Sequence, residues 1–489
     1  MRYSQKLIGG LLLAVSVAGC KDWLTGPGLT INPNQPVTAS KEQLFAAVAT
    51  SQESQEEGNL ARWTAMFTQQ MAGVGRQHAT FQIYSITEAD VSGYFNRTYT
   101  GGGLLDIRQA EALAKQQGDS TFAGVAMVYE ALMMGRAASI WGDIPYSEAV
   151  GSIDTPKLDS QEQVYAAVQA KLDTAIAWIP KTGGTNVGPL AADLVYGVPA
   201  SGQRAKWVAA AYTLKARYYM HWVEPQLVGG SSLALAQVAC GGDCLQKTVA
   251  AATNGITSSA NDFRTYHSTN STEWNFWYQF LVVARTGDVA ASGTLIDTLK
   301  GRRAAGDQRV MAYYDSTLFN GTYDFRGADR SGHVTPSTTP LSVLSATRLA
   351  QNFRQPIITA AENEDLLAEA QSRLGNDAAA LTALNAGKAA SAASTGVAVP
   401  PAVGLTGAAL LREIKMEEWI AEFQNIEAWS GYKRNCVPPL TPAGSATDVP
   451  GRLLYGSGER NANPNIPAPA NQPARNKNDP KPCSDPTHP

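Results

Sequence analysis

The stretch Thr121–Ala149, TFAGVAMVYEALMMGRAASIWGDIPYSEA, predicts one long buried helix followed by a sharp turn. Apolar residues recur in it at steps of three and four, and before the turn its only charged residues are Glu130 and Arg136. A helix that is apolar nearly all round lies inside a helical assembly rather than on its surface. Gly142 suits the position past the last helical turn, and Pro145 prevents continuation.

Other helical patterns along the chain indicate partners for this helix. A capping box at Ser160–Gln163 opens the next helix, and further helical periods begin near Lys41, Ala205, Gln355 and Leu410. Helix pairs of this kind resemble tetratricopeptide-type packing, in which each pair needs its neighbours to bury its apolar face. The sequence therefore predicts a mostly α fold, with helix pairs forming a scaffold over about 41–225 and 355–430.

The remaining stretches carry little helical period. We expect irregular structure over 73–96 and a long irregular loop region over about 226–354, which would carry the ligand site. Residues 391–404 have the composition of a low-complexity linker, and residues 437–489 are rich in proline and predict loops. Together, residues 41–489 are expected to form a single domain.

The N-terminus has the pattern of an exported lipoprotein. Arg2 and Lys6 precede an uncharged run that is too short to span a bilayer, so residues 1–19 predict a signal peptide. The run ends in Val17-Ala18-Gly19-Cys20, which resembles a bacterial lipobox with cleavage before Cys20. Acyl chains on Cys20 would anchor the protein stably, and residues 20–40 would form an extended tether. The alternative is an ordinary signal peptide followed by a chance cysteine.

Composition and charge narrow the class of partner. The chain has 489 residues, of which 44% are hydrophobic and 17% charged, with a formal net charge of −3. No basic block occurs anywhere in it. A nucleic-acid partner is therefore disfavoured, because nothing in the sequence would neutralise phosphates.

Four cysteines follow Cys20, an even number that suggests disulfides in an exported chain. Cys240 and Cys244 could close on each other across the Gly-Gly-Asp between them. Cys436 and Cys483 bracket the proline-rich segment and could staple it. The CxxxC spacing of the first pair argues against a redox enzyme of the CxxC type.

A search for catalytic and metal-binding patterns finds little. None of the five histidines stands in a metal-ligand spacing, and no nucleophile elbow, P-loop or dinucleotide fingerprint occurs. We therefore expect no metal, no cofactor and no catalytic residue. Two acidic helical segments predict solvated faces with i,i+4 pairs rather than a catalytic carboxylate pair. Their members are Glu362, Glu364, Asp365 and Glu369, and Glu413, Glu417, Glu418 and Glu422.

Clusters of aromatic residues are the best candidates for ligand binding. Such rings can stack on the apolar faces of sugars while neighbouring polar groups bind the hydroxyls. For each single residue, a place in the buried core is the competing interpretation. The candidates are Trp274, Trp277, Tyr278 and Tyr266 in the long irregular stretch, and Tyr84, Tyr94, Asn96 and Arg76 in the earlier one.

An ordered set of motifs resembles the SusD/RagB family of outer-membrane nutrient-uptake lipoproteins. No single motif decides the resemblance, but the set spans essentially the whole mature chain. It consists of Cys20 after the signal, Asn32-Pro33 in the tether, the corner Ile140–Ala149, Lys206-Trp207 leading to Lys215–Met220, the segment Glu362–Asn385, the helix Glu417–Phe423, and finally Arg434, Arg452, Glu459 and Asn463-Pro464. Two departures are Ala211-Tyr212 in place of the usual small-Asn pair and Glu417-Glu418 in place of the common Glu-Arg.

The resemblance implies a helical scaffold of tetratricopeptide-like pairs with long irregular loops opposite. It also implies a surface-exposed, lipid-anchored protein that binds oligosaccharides or other oligomeric nutrients. Such a protein acts as the lid of a SusC-like TonB-dependent transporter barrel and is not an enzyme. The ligand residues of the family do not lie in its recurring motifs, so the aromatic candidates stand on their chemistry alone.

Two other functions stay open at this point. An exported glycan hydrolase would need a carboxylate pair within the aromatic cleft, with Asp262, Asp288 or Glu273 as candidates. A periplasm-facing helical-repeat scaffold lipoprotein would need neither a ligand nor a transporter. The sequence also leaves open whether the ligand is a glycan or a peptide.

Overall fold

The computed structural model describes residues 39–197, 202–330 and 340–489. The predicted signal peptide, the lipidation site Cys20 and nearly all of the predicted tether lie outside these ranges. Helices dominate the described residues, and the strands are short and occur in pairs. None of the described helices has the length and apolar character needed to cross a membrane.

Nineteen α-helices occur in the described ranges, and they are numbered in chain order. The first ten are α1 (Lys41–Glu57), α2 (Asn59–Phe67), α3 (Arg76–Gln82), α4 (Glu88–Tyr99), α5 (Leu104–Gln116), α6 (Ser120–Trp141), α7 (Gln161–Trp178), α8 (Gln203–Met220), α9 (Val223–Val228) and α10 (Gly230–Cys240). The remainder are α11 (Cys244–Ala252), α12 (Phe276–Tyr278), α13 (Gly293–Arg303), α14 (Arg309–Tyr313), α15 (Ala360–Arg373), α16 (Asp377–Thr395), α17 (Gly407–Ala421), α18 (Glu427–Asn435) and α19 (Ser457–Ala462).

The central helix α6 is buried along its whole length after Ser120, as its composition predicts. Its two charges are both compensated: Glu130 accepts hydrogen bonds from Arg108 and Lys171, and Arg136 bonds to Glu56. Gly135 allows a close approach of α8, because a Cβ there would lie 2.2 Å from the ring of Tyr218. The apolar surface and this contact fix α6 as the axis of the scaffold.

Successive helices pack around α6 in the predicted manner. Helix α7 lies against α6 and begins at the predicted capping box of Ser160, and α8 lies against both. Helix α11 packs against both α8 and α15. A turn of three residues at 374–376 brings α16 back to pack against α15. Helix α17 packs on α15 in turn. The tetratricopeptide-like pairing expected from the sequence is thus present.

The six strands of the described residues form three antiparallel pairs, of which two join distant segments and the third is a local hairpin. β1 (Met71–Gly73) pairs with β3 (Val289–Ala291), β2 (Phe263–Arg264) with β6 (Pro356–Ile358), and β4 (Thr317–Phe319) with β5 (Thr322–Asp324). In the second pair Phe263 lies opposite Ile358. This pairing places the aromatic stretch after residue 264 beside the start of α15.

Three predictions of irregular structure are wrong in part. Residues 73–96 contain α3 and most of α4, and α4 begins at a capping box in which Thr87 and Asp90 bond to each other's backbone. The region 226–354 contains α10, α11, α13 and α14. The predicted linker over 391–404 is helical up to Thr395, where α16 ends. Short helices with small or aromatic residues show too weak a period to be recognised.

The two acidic segments are buried, so the prediction of solvated faces is wrong for all but Glu413. Each of three carboxylates meets a guanidinium group from elsewhere in the chain: Glu362 bonds to Arg217, Glu417 to Arg309, and Glu369 to Arg434. Burial of a carboxylate is tolerated when such a partner also satisfies its hydrogen bonds. The members are Glu362, Glu364, Asp365, Glu369, Glu417, Glu418 and Glu422, all at most 9% exposed.

Both cysteine pairs form disulfides in the arrangement considered for the sequence. Cys240 is bonded to Cys244, and Cys436 to Cys483. Within the described ranges, one group of His and Cys side chains has atoms close enough to hold a metal ion, and it consists of the second cysteine pair with His488. The two sulfur atoms are used in the disulfide and are not available as thiolates.

Candidate functional site

The aromatic stretch after β2 is tied to the C-terminal end of α1 by Glu57, which is fully buried. The carboxylate of Glu57 accepts hydrogen bonds from the Thr265 hydroxyl at 2.6 Å and from His267 Nε2 and Asn275 Nδ2 at 2.9 Å. Asn275 also caps the short helix α12 by accepting from two backbone N–H groups. One acidic residue of the scaffold therefore anchors the aromatic stretch at three side chains.

This stretch forms one wall of a cavity of about 140 Å³, here called the aromatic pocket. Its rings come from Tyr266, Trp274 and Phe276, and the polar groups that face it include Glu53 and Gln279. Tyr266 is 38% exposed, whereas Trp274 is half-buried. The indole N–H of Trp274 donates to the carbonyl of Thr269 at 3.1 Å, which holds the ring in place. Aromatic walls with a few polar groups are typical of small-molecule sites.

The floor of the pocket contains two titratable groups. Burial raises the pKa of Glu53 to about 7, and the N–H of Tyr266, which donates to this carboxyl at 2.6 Å, only partly opposes that rise. Burial lowers the pKa of His267, but the hydrogen bond and charge of Glu57 outweigh it, so the pKa is raised overall. The pocket therefore presents the carboxyl group of Glu53, which can form further hydrogen bonds, beside the imidazole of His267, which is already bonded to Glu57.

The structure divides the four predicted residues of this stretch. Tyr266 and Trp274 line the pocket. Tyr278 stands behind Trp274, with ring centroids 5.2 Å apart, and its hydroxyl accepts a hydrogen bond from Gln351. Trp277 has no exposed surface and packs in the core, so it cannot serve as a stacking platform for a ligand.

The second predicted group does not line the pocket. The ring of Tyr84 packs against Phe67, and the hydroxyl accepts from a backbone N–H at position 443. Tyr94 packs edge-on against the buried Trp63. Asn96 is exposed on α4, and Arg76 forms an ion pair with Asp288. The structure thus gives two of these tyrosines packing roles.

The pocket also contains residues that were not predicted as ligand contacts. Thr50 and Glu53 come from α1, more than 200 positions before Trp274, and Leu194 comes from the loop before α8. The sequence shows only that the second half of α1 is rich in polar residues, and the structure reveals that several of them, including Glu53, are buried. The sequence therefore gives no signal that singles out Glu53 or the loop it meets.

The chain is similar to known proteins over most of its length. The model of a protein family described as SusD-like, "Starch-binding associating with outer membrane", matches residues 33–456. No curated protein matches the sequence.

Among solved structures, a SusD/RagB family protein from Bacteroides thetaiotaomicron is 20% identical, with a TM-score of 0.70, and the match covers 88% of this chain and 95% of that one. A chitin-binding SusD homologue from Flavobacterium johnsoniae is also 20% identical, with a TM-score of 0.69 and coverage of 89% and 97%. At this identity the likeness concerns the fold.

Proposed function

Because the chain belongs to the SusD-like family of proteins associated with the outer membrane, we propose that it is a nutrient-binding lipoprotein that captures glycans in the aromatic pocket. The observation that carries this proposal is the pocket itself. Tyr266 and Trp274 offer ring faces and edges, while Glu53 and Gln279 offer hydrogen-bonding groups beside them. A pyranose ring has the matching combination of apolar faces and peripheral hydroxyls.

The size of the pocket bears on how a glycan would bind. A cavity of about 140 Å³ is smaller than the 300–1,000 Å³ of typical enclosed ligand sites. It therefore suits one sugar unit of a longer chain whose neighbours lie along the surface. The chitin-binding homologue is a relative that binds a polymer of this general kind.

The proposed role in transport follows from the family resemblance. The protein would be held by lipid on Cys20, face the cell exterior and act as the lid of a SusC-like TonB-dependent barrel. A ligand that contacts both lid and barrel would favour the closed arrangement by binding it more tightly than the open one. The helical scaffold offers a rigid body for such movement.

Binding is tested on the mature protein with an array of polysaccharides that includes starch and chitin fragments, followed by calorimetry on the hits. We expect Trp274→Ala to lose most of the binding. Trp178→Ala is the matched control, because Trp178 is a half-buried tryptophan of α7 outside the pocket. Equal binding by wild type and Trp274→Ala would place the ligand site elsewhere.

The transport role needs separate experiments. Purification from detergent-solubilised membranes is expected to bring down a TonB-dependent barrel, and failure to do so would argue against the lid. Protease treatment of intact cells is expected to cut the protein. Full protection would favour the periplasm-facing scaffold instead.

An exported hydrolase remains the second candidate because two carboxylates, Glu53 and Glu273, line the pocket. A buried acid with a pKa near 7 is also what a general acid requires. The other two candidate carboxylates do not line the pocket. Asp262 pairs with Arg264, and Asp288 pairs with Arg76. Release of reducing ends from a bound glycan, lost in Glu53→Gln, would support hydrolysis, whereas binding without turnover supports the lipoprotein lid.

A further inference from the structure

A second pocket lies where the turn after α6 meets the end of α4 and the helix α19. Its volume is about 180 Å³, and it is called the Tyr99 pocket here. Its apolar wall is built from the loop that joins α6 to α7, and the closing side comes from Thr100 and Glu459. None of its lining residues is shared with the aromatic pocket. Ile153 of the wall is 46% exposed, so the pocket opens to solvent on that side. The wall consists of Pro145, Ala149, Val150, Ile153 and Pro156.

The wall is held rigidly by hydrogen bonds from three directions. Arg108 donates to the carbonyls of Tyr146 and Ala149 at 3.1 Å, and Asn463 donates to the carbonyl of Pro156 at 2.8 Å. The carboxylate of Asp159 accepts from the backbone N–H of Tyr146 at 2.9 Å. Because this wall is already fixed, little free energy is lost to ordering it when a ligand enters the pocket.

Two polar groups of the Tyr99 pocket have long hydrogen bonds within the fold: Glu459 accepts from Asn463, and the Thr100 hydroxyl donates to the carbonyl of Asn96, both at 3.4 Å. The hydroxyl of Tyr99 is buried and has no hydrogen-bond partner among the described residues, although buried hydroxyls are normally bonded. Burial and the nearby charge of Glu459 raise the pKa of Tyr99 well above its ordinary value, so the hydroxyl stays protonated. Asp154 and Glu459 line the pocket, and neither forms an ion pair with another described residue. No described residue that lines it is cationic.

The charge of Arg108 opposes the rise in the pKa of Tyr99, but burial and Glu459 outweigh it. Arg108 lies behind the wall, with its Nε 3.2 Å from the carboxylate of Glu130. Its other nitrogens are engaged by the two carbonyls of the loop. Two carboxylates, an apolar wall and an unpartnered hydroxyl therefore define what the pocket can accept. An anion would meet two carboxylates there, and a neutral alkyl group would leave the hydroxyl unpaired.

We propose that the Tyr99 pocket binds an alkylammonium or alkylguanidinium group of the size of a lysine or arginine side chain. The alkyl stem would lie on Pro145 and Ile153, and the cationic head would donate to Glu459 and to the Tyr99 oxygen. Such a group has one apolar and one charged end, and long basic side chains bury their stems in this way. The volume admits one such group and excludes a drug-sized molecule.

The test uses the mature full-length protein and saturation-transfer NMR with n-butylguanidinium and n-butylammonium as probes. Butanol and butyrate are the neutral and anionic controls of equal chain length. We expect saturation transfer to the cations at least fivefold above that to the controls. The double variant Asp154→Asn/Glu459→Gln is expected to lose it, and Asp315→Asn, which removes an exposed carboxylate elsewhere, is expected to keep it.

Tyr99→Phe separates ligand binding from a structural role of Tyr99. The hydroxyl makes no bond within the fold, so the variant is expected to unfold at the same denaturant concentration as wild type while losing at least threefold in probe binding. Equal transfer to butanol and butylguanidinium, or unchanged binding in both the double variant and Tyr99→Phe, would overturn the proposal. N-acetyl-arginine methylamide serves as a further probe: binding to it supports the proposal with a protein side chain as the source.

Discussion

Buried carboxylates occur both in the helical scaffold and in the aromatic pocket, but their partners differ. In the scaffold, Glu417 meets the guanidinium of Arg309, and Glu369 meets that of Arg434. In the pocket, the one hydrogen bond that the carboxyl group of Glu53 accepts from the described residues comes from the backbone N–H of Tyr266. These two scaffold acids are therefore satisfied by cations of the fold, whereas the pocket leaves Glu53 with capacity for another donor. This difference separates residues that hold the fold from residues that are free to bind.

The largest effect is expected from breaking the scaffold network at Arg309. Its side chain has no exposed surface and bonds to both Asp307 and Glu417. Arg309→Met leaves Asp307 buried without its cation and Glu417 with only the more distant Lys388 and Arg302, so we expect the free energy of unfolding to fall by about 3–5 kcal/mol. Urea unfolding followed by circular dichroism measures this change.

Asp365 provides the matched control within the same cluster. Among the described residues, both of its carboxylate oxygens lack a hydrogen-bond partner, and burial together with the charges of Glu417 and Glu418 raises its pKa well above the ordinary value. Burial therefore favours the neutral form of Asp365 in the folded protein. Asp365→Asn is expected to change the free energy of unfolding by less than about 1 kcal/mol at neutral pH or to increase it. An equal loss in both variants would contradict the assignment of Arg309 as the partner that matters.

The scaffold shows how far a sequence can be interpreted in physical terms. The burial of α6 and the start of α7 follow from local features, namely a run without charge and a capping box. The burial of Glu362 does not, because its partner Arg217 lies 145 positions away and an acidic helix face looks the same with or without it. The spacing of charges along a sequence indicates ion pairs between residues three or four positions apart, but not between distant residues.

The same limit applies to the pocket. Tyr266 and Trp274 could be proposed because aromatic residues crowd one stretch, but Trp277 in that stretch belongs to the core. The period of a short loop does not say which rings face outward. Glu53 enters from another helix, and only the tertiary contact through Tyr266 brings it to the pocket.

The pocket acid is expected to make stability depend on pH. Glu53 holds its proton more tightly in the folded protein, with a pKa of about 7 against an ordinary 4.5, so folding takes up a proton between these values. The contribution of Glu53 to the free energy of unfolding is therefore full below pH 4.5 and is lost as the pH rises to 7. Glu53→Gln removes this loss, so the variant should gain up to about 3 kcal/mol over wild type between pH 4.5 and 8.

Unfolding curves of both proteins across this range measure the difference. Glu42→Gln is the control, because Glu42 lies on the exposed side of the same helix α1. A constant difference between Glu53→Gln and wild type at all pH values would show that Glu53 does not titrate in this window.

The smallest effects are expected from a pair of tryptophans that lie three positions apart. Trp277 is buried in the core, so Trp277→Phe should lower the free energy of unfolding by about 1–2 kcal/mol and leave glycan affinity unchanged. Trp274 is half-buried at the pocket, so Trp274→Phe should leave stability within about 0.5 kcal/mol and weaken glycan binding severalfold. Calorimetric titration of a glycan ligand and urea unfolding are measured on both variants. If Trp277→Phe weakened glycan binding and Trp274→Phe lowered stability instead, then Trp277, and not Trp274, would contact the ligand. The distinction between scaffold and pocket would then fail for these two residues.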